Sequence, residues 1–543
     1  MSIPPVPEWV HSAVFYEIYP QTFCDSNGDG IGDLPGIISK LDYVKSLGVD
    51  AIWLNPFYVS PMRDAGYDVA DFCQVDPRYG TNEDAVRLFA EAKKRGLRVI
   101  VDFVPGHTSI DHPWFQESSK PKPNAYSNWY IWTQSAWDNG GDEWKGKMIH
   151  GYSNRNGNYL INFFWSQPAL NFGFGEPEKD KPWQLPTTHL DVQRLWEKMK
   201  EAMEFWMKQG ASGFRVDMAG SITRRDPGWK EARRFWQEAR ERCEAIDPEF
   251  FTVAEWSDPI NCLDGKGLHA DFLHWILSYE NLFRKENART PGAPPRPPGH
   301  SWFDRAGKGD ISFFIKDYLK HYDQTRDQGY ISIPAANHDL PRLGIDRNDD
   351  DLEIIFAFLL TMPGVPFMYY GDEIGMRDLK GIPVKEGCYP PRTGARTPMQ
   401  WNAGKNLGFS EAPPEKLWVP HDPEPDAPLV ATQESQPGSL LNRVRKLIAL
   451  RRSHPALTAY ADFTPLYCLQ DSYPFAYLRQ NGNVSVLVIL NPADKPYEIS
   501  LQLPGIVKPQ PLVGVSCTIS SHAGQTVISG PAASFVIFEL SES

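Results

Sequence analysis

Gly213-Phe-Arg-Val-Asp217 is a short apolar run that ends in a carboxylate, and the same arrangement recurs along the chain. Residues 251–254 end in Glu255, and residues 331–336 end in Asn337, His338 and Asp339. Further apolar runs that polar residues follow lie at 14–19, 51–54, 97–104 and 365–370. Such β-branched and aromatic runs are too short for helices and are typical of buried parallel strands.

Amphipathic segments separate these runs. Residues 82–95, 192–209, 228–245 and 352–360 carry apolar side chains at three-to-four spacing, which predicts helices. Strands that alternate with helices indicate parallel β/α units. Polar residues at successive strand ends are typical of the active-site face of a barrel. The pattern therefore predicts an α/β fold built on a (β/α)8 TIM barrel.

Three segments interrupt or follow the barrel pattern. Residues 105–182 are rich in Trp, Asn, Gly and Pro, and we interpret them as a subdomain inserted after strand 3. Residues 461–543 contain short alternating runs and predict a C-terminal antiparallel β-sandwich. The barrel then comprises residues 1–104 and 183–460. Residues 376–428 are irregular and follow the eighth strand, and the Pro-rich residues 291–298 predict a surface loop.

Composition excludes several classes of function. The formal net charge of −13 repels polyanions, so we expect no nucleic-acid partner. The N-terminus shows no signal-peptide pattern, and no run approaches the ~20 apolar residues that span a bilayer. The seven cysteines are scattered without a C-x-x-C pair, which favours a reducing cytoplasm. The aromatic content of 13% is explained more simply by a large hydrophobic core than by a sugar-binding cleft.

Three strand-end acids, Asp217, Glu255 and Asp339, carry the chemical prediction. Barrel strand ends converge, and two carboxyl groups about 5–5.5 Å apart cleave a glycosidic bond with retention. Arg215 lies two residues before Asp217 on the same strand face and should keep that acid ionised. Desolvation beside Trp256 should raise the pKa of Glu255, as a proton donor needs. Each strand-end Asp taken alone is more often a helix cap.

These motifs resemble those of the α-amylase family, glycoside hydrolase family thirteen. The resemblance runs from about residue 14 to the end of the chain, and one segment is similar to the oligo-1,6-glucosidase and trehalose synthase branch. The further matching motifs are Asp64-Ala-Gly-Tyr-Asp68, Asp102-Phe-Val-Pro-Gly-His107, Gln167-Pro-Ala-Leu-Asn171 and the branch-specific Arg396-Thr-Pro-Met-Gln-Trp401.

The resemblance implies a role for each matching residue. Asp217 would be the nucleophile, Glu255 the general acid/base, and Asp339 a ligand of sugar hydroxyls. Asp64 and Arg396 would clamp the terminal 4-hydroxyl, which implies exo action, although Arg396 pairing with a structural acid is the alternative. The other expected substrate-binding residues are Tyr67, His107, Arg215 and His338.

The implied function is a retaining exo-acting α-glucosidase or α-glucosyl transferase for short α-glucosides, which are small-molecule substrates. The alternatives are a trehalose synthase-like or other isomerising enzyme and a non-catalytic barrel relative. Gly106 replaces the usual Asn before His107, and Ala169 replaces an Asp that is usual in this branch. Met218 matches no linkage-specific subgroup, so the linkage stays open, as does the oligomeric state.

Asp25-Ser-Asn-Gly-Asp-Gly-Ile-Gly-Asp33 predicts a calcium loop, because oxygen donors alternate with glycines. A similar loop occurs in this branch of the family. The alternative is a turn held by its own hydrogen bonds. We expect a structural Ca²⁺ and no organic cofactor. The predicted ligands are Asp25, Asn27, Asp29, Asp33 and the carbonyl of Ile31.

Overall fold

The computed structural model describes residues 3–284, 300–382, 392–503, 507–522 and 524–542. An eight-stranded parallel sheet forms the centre of the fold; in it each of strands 1 to 7 in chain order lies beside the next, and strand 8 lies beside strand 1. This sheet confirms the predicted TIM barrel. Its strands are β1 Phe15–Ile18, β2 Ala51–Leu54, β3 Arg98–Phe103, β4 Gly213–Val216, β5 Phe251–Ala254, β6 Ala270–Phe272, β7 Tyr330–Ser332 and β8 Phe367–Tyr369.

Strand β6 is the one that the sequence patterns did not locate. It has only three residues, and Asp271 interrupts its apolar character. The strand pairs in parallel with β5 and β7, so its following loop opens onto the same end of the barrel as the predicted acids.

The strand register decides which side chains meet at that end. Asp102 of β3 pairs with Arg215 of β4, and Arg215 in turn pairs with Val253 of β5. Asp217 and Glu255 follow β4 and β5 directly, so their backbones leave the barrel side by side. The main-chain amide of Glu255 donates to the carbonyl of Val216 at 2.8 Å, which ties the two strand ends together.

Helices surround the sheet, and those predicted from the amphipathic pattern are present. A capping box between Thr81 and Asp84 begins the helix Asn82–Lys94, and left-handed Gly210 ends the helix Leu190–Gln209. The other main helices are Leu34–Ser39, Leu41–Ser46, Lys230–Glu244, Leu277–Phe283, Ile311–Thr325, Asp349–Thr361, Val430–Glu434 and Leu440–Ser453.

The segment between β3 and the helix Leu190–Gln209 has little regular structure. It contains the short helix Pro113–Ser118 and a two-stranded pair formed by Met148–Ile149 and Tyr159–Leu160. A small apolar cluster that includes Trp144, Phe174 and Trp183 holds it together. His107 forms a β-bridge with Ala169, so the segment folds back over the third strand end. The predicted limits of 105 and 182 for this subdomain stay a prediction.

The C-terminal part forms two antiparallel sheets, as predicted. Apolar side chains such as Leu487 and Ile528 pack between them. The buried Arg479 donates to the carbonyl of Thr361, which joins this part to a barrel helix. The five-stranded sheet has the order Asp462–Tyr467, Phe475–Asn481, Val484–Asn491, Ser534–Glu542 and Val507–Gly514, and the three-stranded sheet has the order Tyr497–Leu501, Gln525–Gly530 and Thr518–His522.

The remaining sequence predictions concern membrane spans, disulfides and two irregular segments. No helix in the described part of the chain is long and apolar enough to cross a bilayer. The six cysteines that the structure describes form no disulfide. The Pro-rich residues 291–298 lie outside the described residues, as do residues 383–391 of the irregular stretch after β8.

Candidate active site

A cavity of about 520 Å³ opens at the carboxyl ends of the barrel strands, within the size range of small-ligand sites. The structure brings the three predicted acids into this one cavity. Its lining residues are Asp64, Tyr67, His107, Phe163, Asp217, Met218, Gly220, Ser221, Trp229, Glu255, Trp256, Trp275, Asp339 and Arg392.

Arg215 lies beneath the acids and is fully buried. Its guanidinium contacts Asp102 at 2.8 Å, Asp217 at 3.0 Å and Glu255 at 2.9 Å. The ring of Tyr67 covers it, with 5.6 Å between the guanidinium carbon and the ring centre. Arg215 therefore orients the acids from behind and is not among the residues that line the cavity, so its predicted contact with substrate stays a prediction.

Burial and the charges around Arg215 shift the pKa values of the two acids in opposite directions. Burial and the charge of Glu255 raise the pKa of Asp217 well above its ordinary value, although Arg215 opposes them. Burial acts in the same direction on Glu255, but Arg215 and His274 outweigh it and lower that pKa to about 2. Both directions are opposite to those expected from the sequence.

Side chains that follow β6 hold Glu255 from its other side. The indole N–H of Trp275 donates to Oε1 of Glu255 at 3.0 Å, and Nε2 of His274 lies 3.7 Å from the same oxygen. Asp271 accepts the main-chain amide of Trp256 at 2.9 Å, which fixes the loop after the acid. The sequence analysis missed these three β6 residues because the strand itself was not recognised.

Charged pairs lie in the wall of the cavity beside Asp339. Nη2 of Arg392 contacts Asp64 at 2.9 Å, and Nη1 of the same side chain contacts Asp339. The amide of Gln167 donates to the second oxygen of Asp64 at 2.7 Å. Burial opposes ionisation of Asp339, but Arg392, His338 and Arg396 hold its pKa well below its usual range.

Arg392 thus occupies the position that the sequence analysis assigned to Arg396. Arg396 is fully buried, donates to the carbonyl of His338 at 2.7 Å and contacts Asp339 at 3.2 Å. A single 3-10 turn, Thr393–Ala395, separates the two arginines, and only Arg392 lines the cavity. Arg396 thus pairs with a predicted site acid and not with a separate structural acid, and its predicted role as a clamp of the terminal 4-hydroxyl stays a prediction. The two arginines are four residues apart, and no pattern in the sequence shows which of them lines the cavity.

The two predicted histidines differ in charge and position. His338 lies beneath Tyr67, between Glu17 at 2.8 Å and Asp339 at 3.2 Å. Burial would lower its pKa, but these two carboxylates raise it to about 9. His338 is therefore a buried cation outside the cavity lining. His107 does line the cavity, and burial lowers its pKa to about 4, so its ring is neutral at pH 7.

Comparison with known proteins agrees with this geometry. The model of the α-amylase catalytic domain matches residues 17–460. The chain belongs to the α-amylase family. The trehalose synthase/amylase TreS of Mycobacterium tuberculosis is 32% identical to the chain, and the match covers 92% of this chain and 85% of that protein. The oligo-1,6-glucosidase of Parageobacillus thermoglucosidasius is 31% identical, over 90% and 91%.

Solved structures show the same fold. The isomaltulose synthase PalI of Klebsiella sp. LX3 superposes with a TM-score of 0.79 at 27% identity, covering 98% of this chain and all of that one. The predicted branch is confirmed, since the relatives carry the names oligo-1,6-glucosidase, α-glucosidase and trehalose synthase. The chain is thus a glycoside hydrolase or transglucosidase of the α-amylase family.

The structure accounts for Gly106, which departs from the family motif. A Cβ atom at Gly106 would lie 2.4 Å from Nδ2 of Asn162, so only glycine leaves room for that amide. Asn162 contacts Nδ1 of His107 at 3.1 Å and accepts from Arg224 at 3.0 Å. The residue before His107 is therefore not an Asn, but the inserted segment places the amide of Asn162 beside this histidine.

The predicted calcium loop is closed by hydrogen bonds of its own. Oδ1 of Asp25 accepts the amides of Asn27 at 3.1 Å and Gly28 at 2.7 Å, and Asp29 accepts that of Ile31 at 2.9 Å. Across the described ranges, no group of three or more His, Cys, Asp or Glu side chains is placed to hold a metal ion. Burial, with the nearby charge of Asp25, raises the pKa of Asp33. The calcium site predicted for this loop stays a prediction.

Trp275→Phe tests the hydrogen bond to Glu255, because phenylalanine keeps the ring and removes the N–H. Loss of a donor to a carboxylate destabilises its charged form and raises its pKa. Glu255 has the lower pKa of the two acids, so we expect the acidic limb of the pH profile of kcat/KM to move upward by about 0.5–1 unit. A profile that keeps both limbs unchanged while the rate falls would contradict this role for Trp275.

Proposed function

We propose that the chain is a retaining, exo-acting α-glucosidase or α-glucosyl transferase for short α-glucosides. The observation that carries the proposal is the arrangement of one cavity. Asp217 and Glu255 line it and share the buried Arg215 beneath them, and the Asp64–Arg392 pair lies beside Asp339. Relatives named as glucosidases and as glucosyl-transferring synthases support the same reaction class.

The reaction has two displacements. Glu255 donates its proton to the glycosidic oxygen while the carboxylate of Asp217 attacks the anomeric carbon, which leaves a covalent glucosyl ester. Glu255 then removes a proton from water or an acceptor hydroxyl, whose oxygen displaces Asp217. This step needs Asp217 ionised and Glu255 protonated, whereas burial and the neighbouring charges raise the pKa of Asp217 and lower that of Glu255. Substrate binding has to reverse that order, and Arg215 contacts both carboxylates and can compensate whichever one is charged.

Exo action follows from the closed end. Arg392 contacts Asp64 and Asp339 at once, so the wall behind the bound sugar consists of buried ionic side chains. A longer chain that continued through this wall would have to break these contacts and leave the charges unpaired, which is costly in a buried site. A single terminal glucosyl unit, in contrast, can place its hydroxyls on the outer oxygens and N–H groups.

An isomerising enzyme is the second candidate. The named relatives include trehalose synthases, and matching structures include isomaltulose and trehalulose synthases. Isomerisation uses the same glucosyl intermediate and differs only in which hydroxyl attacks it. A non-catalytic role is disfavoured, because all three acids line the cavity.

We also propose a cytoplasmic location, because the six cysteines among the described residues form no disulfide.

Arg392→Ala tests the exo assignment. Removing the cation leaves Asp64 and Asp339 facing each other, and we expect kcat/KM for maltose to fall at least about tenfold, or ~1.4 kcal/mol. Arg87→Ala, which removes an exposed arginine of a surface ion pair, should leave kcat/KM unchanged.

The wild-type protein should release glucose from maltose, isomaltose, kojibiose, nigerose, trehalose or sucrose and spare a maltooligosaccharide with a blocked non-reducing end. Rapid cleavage inside the blocked chain would refute exo action.

We propose in addition that the loop of residues 25–33 binds a structural calcium ion, with Asp25, Asn27, Asp29, Asp33 and the Ile31 carbonyl as ligands. Calcium added to protein treated with chelator should raise the melting temperature by a few degrees, because binding stabilises only the folded state. Magnesium, which tolerates such flexible oxygen sites poorly, is the matched control. A melting temperature that calcium leaves unchanged at every concentration would favour the hydrogen-bonded turn alone.

A further inference from the structure

His107 makes a polar contact at each of its two ring nitrogens. Nε2 lies 3.1 Å from the carbonyl oxygen of Tyr67, and Nδ1 lies 3.1 Å from Nδ2 of Asn162. A carbonyl oxygen can only accept a hydrogen bond, so Nε2 carries the proton. Burial is the main cause that lowers the pKa of this ring to about 4, so the ring is neutral at pH 7. A neutral imidazole has one donor and one acceptor, so Nδ1 accepts from the amide of Asn162.

Arg224 fixes the amide of Asn162 independently. Nη2 of Arg224 donates to Oδ1 of Asn162 at 3.0 Å, and a guanidinium has no acceptor atom. The oxygen of this amide must therefore face Arg224, and its nitrogen must face His107. The same nitrogen also lies 3.8 Å from Sδ of Met218, a weak acceptor for its second N–H. Both ends of this series of hydrogen bonds thus require the same tautomer of His107.

The backbone holds both partners of this amide contact in place. The main-chain amide of Asn162 donates to the carbonyl of Gln167 at 3.0 Å, and that of Arg224 donates to the carbonyl of Gly173 at 3.1 Å. The side chain of Gln167 in turn donates to Asp64, which lines the cavity, at 2.7 Å. The turn that carries Asn162 is therefore anchored to the cavity wall as well as to its own strands.

The carbonyl that His107 holds belongs to the tyrosine that covers Arg215. The ring centre of Tyr67 lies 5.6 Å from the guanidinium carbon, and its hydroxyl donates to Asp102 at 3.1 Å. In the other tautomer of His107, an unprotonated Nε2 would face the Tyr67 carbonyl with a lone pair, which is repulsive. The tautomer therefore fixes the backbone of Tyr67, and through it the surroundings of the guanidinium that both acids share.

We propose that Asn162 is a positioning residue for the reaction, because it holds His107 in the tautomer that donates from Nε2 to Tyr67. The catalytic part of this inference rests on the proposed function, whereas the tautomer does not. Gly106 makes the contact possible, since a Cβ atom there would lie 2.4 Å from Nδ2 of Asn162. Gly106 has no positive φ, so space and not backbone conformation requires glycine at this position.

Nitrogen NMR of the full chain, labelled at its histidines, tests the tautomer. Unprotonated and protonated ring nitrogens resonate far apart, and His107→Gln identifies the signals of this ring by their loss. We expect Nδ1 unprotonated and Nε2 protonated in the wild type at pH 7. Asn162→Asp keeps the shape of the side chain but presents only oxygen atoms, so Nδ1 should become protonated. Asn154→Asp, at an exposed asparagine of the same segment, is the matched control and should change neither signal.

A double-mutant cycle tests the positioning role. Gly106→Ala forces the amide of Asn162 away from His107 and should lower kcat/KM about tenfold for the disaccharide that the wild type cleaves fastest, as Asn162→Ala should. In the Asn162→Ala background the clash is absent, so Gly106→Ala should change kcat/KM by less than about twofold. Gly438→Ala is the matched control, because a Cβ atom there meets nothing within 4 Å, and it should leave kcat/KM unchanged.

The outcomes separate this inference from the proposed function. A protonated Nδ1 in the wild type, an unchanged rate in Asn162→Ala, or equal losses on Gly106→Ala in both backgrounds would overturn the role of Asn162 and leave a glucosidase. A wild-type protein that releases glucose from no α-glucoside would overturn the proposed function and with it the catalytic role of Asn162. If Gly106→Ala fails to fold, the wild-type and Asn162→Asp spectra and the rate of Asn162→Ala decide the matter.

Discussion

The active-site end of the barrel depends on one buried guanidinium bound to three carboxylates. Arg215 contacts Asp102, Asp217 and Glu255 at 3.0 Å or less, with no water-exposed surface of its own. A buried guanidinium is costly unless carboxylates pair with it. The parallel register supplies these partners, because it aligns Asp102 with Arg215 and brings the loops after β4 and β5 together. Fold and chemistry are therefore coupled through this side chain.

The two acids that share Arg215 differ in their other contacts. Trp275 and His274 contact Glu255, and Asp271 fixes the loop that follows it. Asp339 is held ionised separately, by Arg392, His338 and Arg396. Ionic side chains therefore surround Asp339, and an indole contacts Glu255 in the same cavity.

The sequence predicted the barrel, the antiparallel C-terminal sheets and the acids, because strand-end motifs are local and repeated. It missed β6, since three residues around a buried Asp271 carry no periodic signal. It also chose Arg396 where Arg392 lines the cavity, because the path of a turn decides which side chain points inward. Pairing across the fold, such as Asn162 above Gly106, is a tertiary property that no single motif contains.

Covalent trapping tests the central claim, that Asp217 attacks the anomeric carbon beside Arg215, most directly. A fluorinated α-glucosyl fluoride forms the ester and slows its breakdown, so the adduct persists for intact-mass and peptide mass spectrometry. The account predicts one sugar per chain, attached to Asp217, and no adduct in Asp217→Asn. A label on another carboxylate, or steady turnover of the reagent by Asp217→Asn, would contradict it.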